Sequence, residues 1–200
     1  MHRRNLLFCL LAVLALSLIG MQAQAATVQQ LNLEEMVDRA GRIFRGTVLD
    51  VREGTVQAGG AELPTVTYRI RVDEAFKGTY QDVKGLQIAE ITMLGKLKTN
   101  QTANTRSLPL IDLPKLQVGQ DYLLLTTQPS AIGLSTPVGL GQGTFRVTGK
   151  AGQELAVNEN HNLGLLKDME GVSGSAVPNQ NGSGPVSYAA LAALIQDLVD

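Results

Sequence analysis

The chain is poor in the residues on which many protein chemistries depend. It has one cysteine, two histidines and no tryptophan. The cysteine, Cys9, lies in the N-terminal apolar segment, so the rest of the chain has neither a disulfide nor a thiol nucleophile. Apart from His2, the only imidazole belongs to His161, and one histidine without cysteine excludes the usual zinc ligand sets. The folded domain must therefore be held together by its apolar core.

Neither the charge nor the aromatic content favours a nucleic acid partner. The formal net charge is −1, and aromatic residues make up 4% of the chain. Nucleic acid recognition normally uses a basic patch, and single strands are held on stacked aromatic rings. The composition therefore predicts neither nucleic acid nor anionic lipid as a partner.

Residues 1–25 have the pattern of a cleavable secretory signal peptide. Arg3 and Arg4 supply positive charge, an apolar stretch follows from Leu6 to Ile19, and Ala23-Gln24-Ala25 has the small–x–small form that signal peptidase accepts. The stretch is shorter than the roughly 20 residues of a membrane-spanning helix, although an uncleaved anchor is the alternative. We expect a periplasmic or extracellular protein without a stable membrane span. Loss of the two arginines changes its formal charge from −1 to −3.

The chain after the signal is about one domain long and divides into three parts. Residues 26–170 are predicted to form a β-rich domain that begins with a helix. Residues 171–186 are rich in glycine, serine and asparagine, which is typical of a flexible linker. Residues 187–200 are predicted to form an amphipathic helix. We expect this helix to dock on the domain, with the binding of a partner as the alternative.

The first helix is expected within Thr27–Ala40. Asn32 and Glu35 have the spacing of a capping box, in which each side chain accepts a hydrogen bond from the backbone of the other residue. Apolar residues at helical spacing follow them, and Gly41 stands where the helix should end.

The pattern from residue 42 to residue 148 is typical of antiparallel β-structure. The clearest strand is Thr65–Val72, in which every second residue from Val66 on is apolar and should face the core. Glu53–Pro64 is predicted to be a hairpin loop, and Gly95–Leu116 a second loop. Five strands are expected, at Ile43–Val51, Thr65–Val72, Gly85–Met93, Asp121–Thr127 and Val138–Thr148.

Four stretches together resemble a family of small exported bacterial proteins with a barrel-like core. They are Leu33–Val48, Val66–Gly78, Pro114–Leu125 and Val138–Val147. The resemblance implies a mainly β fold, namely a five-stranded antiparallel OB-like barrel with a short N-terminal helix and a C-terminal helix. Such a barrel is similar to the inhibitory domain of tissue metalloproteinase inhibitors. The resemblance implies no catalytic residues. The N-terminal cysteine with which those inhibitors chelate zinc is also missing, because the expected mature N-terminus is Ala26.

Two motifs match known sites only in part. Gly139-Leu-Gly-Gln-Gly143 has the glycine density of a phosphate loop, but a strand rather than a helix is predicted after it. A bend or bulge is therefore the better interpretation. Gly171-Val-Ser-Gly-Ser175 resembles a nucleophile elbow without its closing glycine, and His161 is the only base available to it.

The acidic residues near His161 could supply oxygen ligands for calcium. Their spacing is irregular, so solvated loop charges are the better interpretation. The group consists of Glu154, Glu159, His161, Asp168 and Glu170. We assign no catalytic, cofactor-binding or metal-binding residue from the sequence and expect no cofactor.

These observations favour a non-enzymatic exported module that binds another exported or envelope protein. A companion or inhibitor of a secreted protease is the more specific form of this hypothesis, and it depends on fold analogy. The competing hypothesis is an exported hydrolase with an unfamiliar site built on Ser173, Ser175 and His161.

Export should be followed by cleavage after Ala25, because Ala23 and Ala25 fit the small pockets of signal peptidase. N-terminal sequencing of the exported protein should therefore begin at Ala26. A protein that still begins at Met1, or that stays in the membrane fraction, would contradict this prediction.

Overall fold

The computed structural model describes residues 29–97, 115–169 and 183–200. The signal peptide and the linker residues 171–182 lie outside the described residues. Two helices are present, α1 (Leu33–Arg39) and α2 (Tyr188–Val199). The strands are β1 (Arg42–Ala58), β2 (Ala61–Lys77), β3 (Gln81–Val83), β4 (Leu86–Leu94), β5 (Asp121–Thr126), β6 (Thr144–Thr148), β7 (Leu155–Asn158) and β8 (Val186–Ser187).

The predicted capping box starts helix α1. The Asn32 side chain accepts a hydrogen bond from the Glu35 N–H (2.9 Å), and the Glu35 carboxylate accepts one from the Asn32 N–H (3.0 Å). This part of the prediction is confirmed, but the helix is shorter than Thr27–Ala40. Because the cap satisfies the first free N–H groups, the helix begins at Leu33 rather than before the cap.

The eight strands form one antiparallel sheet in the order β3-β4-β2-β1-β5-β6-β7-β8. The mainly β prediction is confirmed, whereas the five-stranded barrel is wrong because the sheet is not closed and has three additional strands. Those three, β3, β7 and β8, have 3, 4 and 2 residues. Strands this short show too few alternations to be seen in a sequence.

The predicted hairpin loop Glu53–Pro64 is also wrong. Strands β1 and β2 each have 17 residues and meet at a two-residue turn. Gly59 and Gly60 have φ angles of 60° and 77°, which are the left-handed values that a tight hairpin turn requires. The polar, exposed residues of this region form strands through backbone pairing with each other and not through burial of their side chains in a core.

The last predicted strand, Val138–Thr148, is a strand only from Thr144 onwards. The residues before it turn tightly against β5, since the Val138 N–H donates to Leu125 O (2.8 Å) and the Gly143 N–H to Val138 O (2.9 Å). A Cβ atom on Gly143 would lie 2.7 Å from Leu125 O. The glycines of this motif therefore permit close backbone packing.

Two apolar cores lie on opposite faces of the sheet, and β5 contributes to both. Leu123 and Leu125 pack with both helices on one face, while Tyr122 and Leu124 pack on the other face with residues of β1, β2 and β4. In β2 the predicted core residues Val66, Tyr68 and Ile70 are buried, and Val72 is partly buried. The predicted facing of this strand is confirmed.

Helix α2 packs on the first of these cores. Leu191 and Ile195 are buried, and Leu194 and Leu198 pack against the same cluster. The Ser187 side chain caps the helix by accepting a hydrogen bond from the Ala190 N–H. The apolar stripe is thus used inside the chain. Neither helix of the described part has the length and apolar character needed to cross a bilayer.

The end of the predicted linker, at residues 183–186, belongs to the fold. Val186 pairs with Ala156 in the sheet, and the Gly184 N–H donates to His161 O (2.6 Å). The backbone groups of these residues are thus held by β7 and by the turn that follows it, while the rest of the predicted linker lies outside the described residues.

Replacing Ile70 by alanine should lower the free energy of unfolding by about 2–5 kcal/mol, since the side chain is completely buried and would leave a cavity. Arg69→Ala, on the opposite face of the same strand, is the control and should cost about 0.5 kcal/mol or less. Denaturant melts of the two variants measure the difference. The reverse order would contradict the facing of β2.

Candidate functional site

The sequence-derived candidates that the structure describes, His161, Glu154, Glu159 and Asp168, do not form a cluster with the geometry of a metal site. His161 is exposed in the turn after β7 and has a φ angle of 53°. Ser173, Ser175 and Glu170 lie outside the described residues. Glu154 binds Arg45, and Asp168 lies beside Lys167 at the surface. Among the described residues, no group of three or more histidine, cysteine and acidic side chains has the geometry of a metal site.

The glycine motif 139–143 is the bend that the sequence predicted, and it also contains a buried polar side chain whose role the sequence did not indicate. Its Gln142 is buried, accepts a hydrogen bond from the Leu31 N–H (2.8 Å) and donates one to Gln29 O (2.9 Å). This side chain ties the segment before α1 to the turn between β5 and β6. The groups of the motif therefore satisfy the protein's own backbone rather than a phosphate.

Two further buried amides extend this network. The Asn158 side chain donates to Gln142 O (3.0 Å), and the Asn162 side chain donates to Ala156 O and Gly184 O, both at 2.9 Å. Asn158 and Asn162 also accept hydrogen bonds from each other's backbone N–H groups. Each amide thus has partners, as buried polar groups require. The network fixes the turn after β7 to the segment that leads into β8.

A partly buried charged cluster lies beneath the start of α2. The Arg45 guanidinium donates two hydrogen bonds to one oxygen of Asp121, at 2.9 and 2.7 Å, and contacts Glu154 at 3.5 Å. Its Cζ atom also lies 4.2 Å from the centre of the Tyr188 ring, which is a cation–π contact. The Tyr188 hydroxyl donates to Glu74. The cluster therefore joins β1, β2, β5 and the residue before β7 to the first residue of the helix.

The pKa shifts in this cluster fit a structural role. Burial, followed by the hydrogen bond to Glu74, raises the pKa of Tyr188 above its ordinary range. Burial lowers the pKa of Arg45, but the hydrogen bond and the charge of Asp121 more than offset this, and the pKa is raised overall. A hydrogen bond from its own N–H and then one from Gly152 lower the pKa of Glu154. None of these shifts brings a pKa closer to neutral pH, the range in which the pKa of a general acid or base should lie.

A pocket of about 430 Å³ lies near the C-terminal segment. Lys167 is the only charged residue in its lining. Gln30 already donates to Leu163 O (2.6 Å) at its edge. The pocket has no acid–base pair and no convergent set of ligands.

The most distinctive exposed feature is a two-stranded arm, formed by residues 52–58 of β1 and residues 61–64 of β2. Strand β5 pairs with β1 only as far as Thr47, and β4 pairs with β2 from Thr65 on. In the arm itself, the described strand pairing is that of β1 with β2, and the residues are exposed or half-buried. The arm thus extends past the rest of the sheet.

One side of the arm is an open strand edge. Val48 still pairs with the chain before β5, through Gly119 and Gln120. After Val48, no described residue donates or accepts a backbone hydrogen bond on this side of β1. From the two-residue turn onwards, the residue pairs of β1 and β2 are alternately hydrogen-bonded to each other and not, starting with the bonded pair Ala58–Ala61. The free N–H and C=O groups are therefore those of Val51, Glu53, Thr55 and Gln57, which we call the β1 edge.

The neighbouring edges of the sheet are blocked. On β2, Pro64 lacks an N–H and its carbonyl accepts from the Gly95 N–H (2.9 Å). On β4, the Ser135 N–H donates to Thr92 O (2.9 Å), and the buried Arg42 donates to Glu90 O (3.1 Å). Proteins commonly protect strand edges in these ways against pairing with other chains. Within the described residues, the β1 edge lacks such protection.

Comparison of the chain with protein-family models and with curated proteins finds no match. The resemblance to the exported barrel family therefore remains a prediction.

Replacing Tyr188 by phenylalanine tests the cluster. The variant keeps the ring beside Arg45 but loses the hydrogen bond to Glu74, so we expect a loss of about 1–3 kcal/mol near pH 7. Because folding raises the pKa of Tyr188, the unfolded phenol releases its proton first, at about pH 10, and the tyrosine's contribution is lost as the pH rises further.

Urea unfolding of both proteins between neutral and strongly alkaline pH measures the effect. Tyr68 and Tyr80, whose pKa values burial also raises, are present in both and cancel in the difference. The two stabilities should converge above about pH 10. A difference that is unchanged across this range would contradict a role for the phenol proton.

Proposed function

We propose that this chain is an exported, non-catalytic module that binds another exported or envelope protein by β-strand addition. The open β1 edge is the observation that supports the proposal. An extended segment of a partner can pair with a free edge through its main chain, and the side chains on either side then set specificity. The free groups of Val51, Glu53, Thr55 and Gln57 are spaced for such a ladder.

The arm offers a partner both polar and apolar contacts. Arg52 and Glu53 lie at its base, while Val56 and Leu63 pair across its middle and are half-buried. The base is held in place because Arg52 binds Glu90 (2.8 Å) and Glu53 accepts from the Leu97 N–H (2.8 Å). An edge fixed in this way loses little conformational freedom when a partner strand binds.

A companion or inhibitor of a secreted protease is the specific form of this function that we favour. Proteases bind their substrates and inhibitors as extended segments, and an exposed strand edge accepts the same kind of segment. The hydrolase alternative, built on Ser173, Ser175 and His161, gains no support from the described residues. Measuring the rates of a panel of secreted proteases with and without the mature domain tests the specific form, and unchanged rates throughout would remove it.

A proline at position 55 tests strand addition directly. Thr55 stands opposite Pro64, so its N–H is not used within the arm. Thr55→Pro should therefore leave the melting temperature almost unchanged, but it removes a donor from the centre of the β1 edge. We expect the recovery of partner protein from the envelope fraction to fall about tenfold or more.

Thr55→Ala is the matched control, because it loses the hydroxyl and its hydrogen bond to Glu62 (2.7 Å) but keeps the N–H. It should capture partner proteins as the unmodified domain does. Equal capture by the proline and alanine variants would show that binding does not use this edge.

A further inference from the structure

We infer that, in the absence of a partner strand, the β1 edge pairs with the β1 edge of a second copy of this chain. The inference rests on the proposed function only in using the same edge. Two identical edges related by a two-fold axis form an antiparallel pair, in which each residue meets its counterpart in reverse order. Self-pairing would cover the edge that has no backbone partner among the described residues.

The geometry of the edge limits the possible registers. The residues whose N–H and C=O groups point away from β2, namely Val51, Glu53, Thr55 and Gln57, must pair with the same set of residues in the second copy. The two-fold axis therefore passes through a residue position and not between two residues. An axis at Arg52 or Glu53 would place like charges directly opposite each other, which is unfavourable. An axis at Gly54 would place the two Glu53 carboxylates diagonally next to each other.

An axis at Thr55 avoids these conflicts. Thr55 then faces Thr55 of the second copy, which is a favourable cross-strand pair, and Glu53 faces Gln57. Arg52 faces Ala58, so no like charges are opposed. The three hydrogen-bonded pairs, Glu53 with Gln57, Thr55 with Thr55 and Gln57 with Glu53, would form about six backbone hydrogen bonds. We therefore assign the axis to Thr55.

The pairing should be weak and reversible. The arm contributes two thin strands rather than an apolar face, so the buried area falls in the range of transient interfaces. A partner strand that makes additional side-chain contacts can displace the second copy. The dimer thus protects the edge and regulates access to it.

The test uses the mature domain in sedimentation equilibrium at loading concentrations from about 5 to 500 µM, a range suited to transient association. The unmodified domain should shift from monomer to dimer across it. Thr55→Lys and Thr55→Glu should each remain monomeric, because like charges then meet at the axis. An equimolar mixture of the two variants should recover the dimer, since opposite charges are paired.

Each result decides the inference. An unmodified domain that stays monomeric overturns it, and so does a dimer that persists in either charged variant or a mixture that does not associate. Thermal melts show whether the variants are folded, and Thr55→Ala is the uncharged control.

The outcome is separable from that of the proposed function. Residue 55 faces itself only in the symmetric pair, so the effect of a charge at this position on sedimentation reports on the dimer alone, whereas Thr55→Pro should lose both dimer and capture. A monomeric domain whose capture still depends on the Thr55 N–H would overturn self-pairing and leave the proposed function standing.

Discussion

The burial of β5 on both of its faces is the constraint on which the rest of this fold depends. Leu123 and Leu125 need a cover on one side, and Tyr122 and Leu124 need one on the other. Among the described residues, the two helices pack on one face, and residues of β1, β2 and β4 pack around Tyr122 and Leu124 on the other. The order of the strands follows, with β1 beside β5 and the long β1–β2 hairpin carrying β4 around the second core.

Polar side-chain contacts hold the N-terminal and C-terminal segments of the described domain in place. The amides of Gln142, Asn158 and Asn162 fasten the segment before α1 and the segment before β8, and the Arg45 cluster fastens the first residue of α2. Removing one member would leave the others buried without partners, which costs more than one hydrogen bond contributes. Since the only cysteine of the chain is Cys9, the folded domain obtains its closure from side-chain hydrogen bonds and not from disulfides.

What could be predicted from the sequence was local or strongly periodic. Asn32 and Glu35 act across three residues, and the Val66–Ile70 alternation reports directly on one buried face. What could not be predicted depends on partners distant in the chain. The arm pairs exposed residues that carry no apolar signal, and Arg45 meets Glu154 and Tyr188 only after the sheet has formed. The bend at residues 139–143 was predictable from its glycines, but the role of Gln142 was not, because its partners Gln29 and Leu31 are more than 100 residues away.

Within the described residues, the β1 edge stands out because the neighbouring edges of β2 and β4 have backbone partners. Pro64 sits where its missing N–H costs no hydrogen bond, directly opposite Thr55 on the paired strand. A proline would be equally compatible with the arm's own pairing at Thr55, and that side of the hairpin lacks one. Protection of a strand edge against pairing with other chains is common in proteins, and the contrast between the two sides of this hairpin is the reason for placing the proposed binding on the β1 edge. The turn at Gly59 and Gly60 sets which residues of β1 point their backbone groups away from β2. Thr55, opposite Pro64, is one of them, and it is the residue on which the proposed binding is tested.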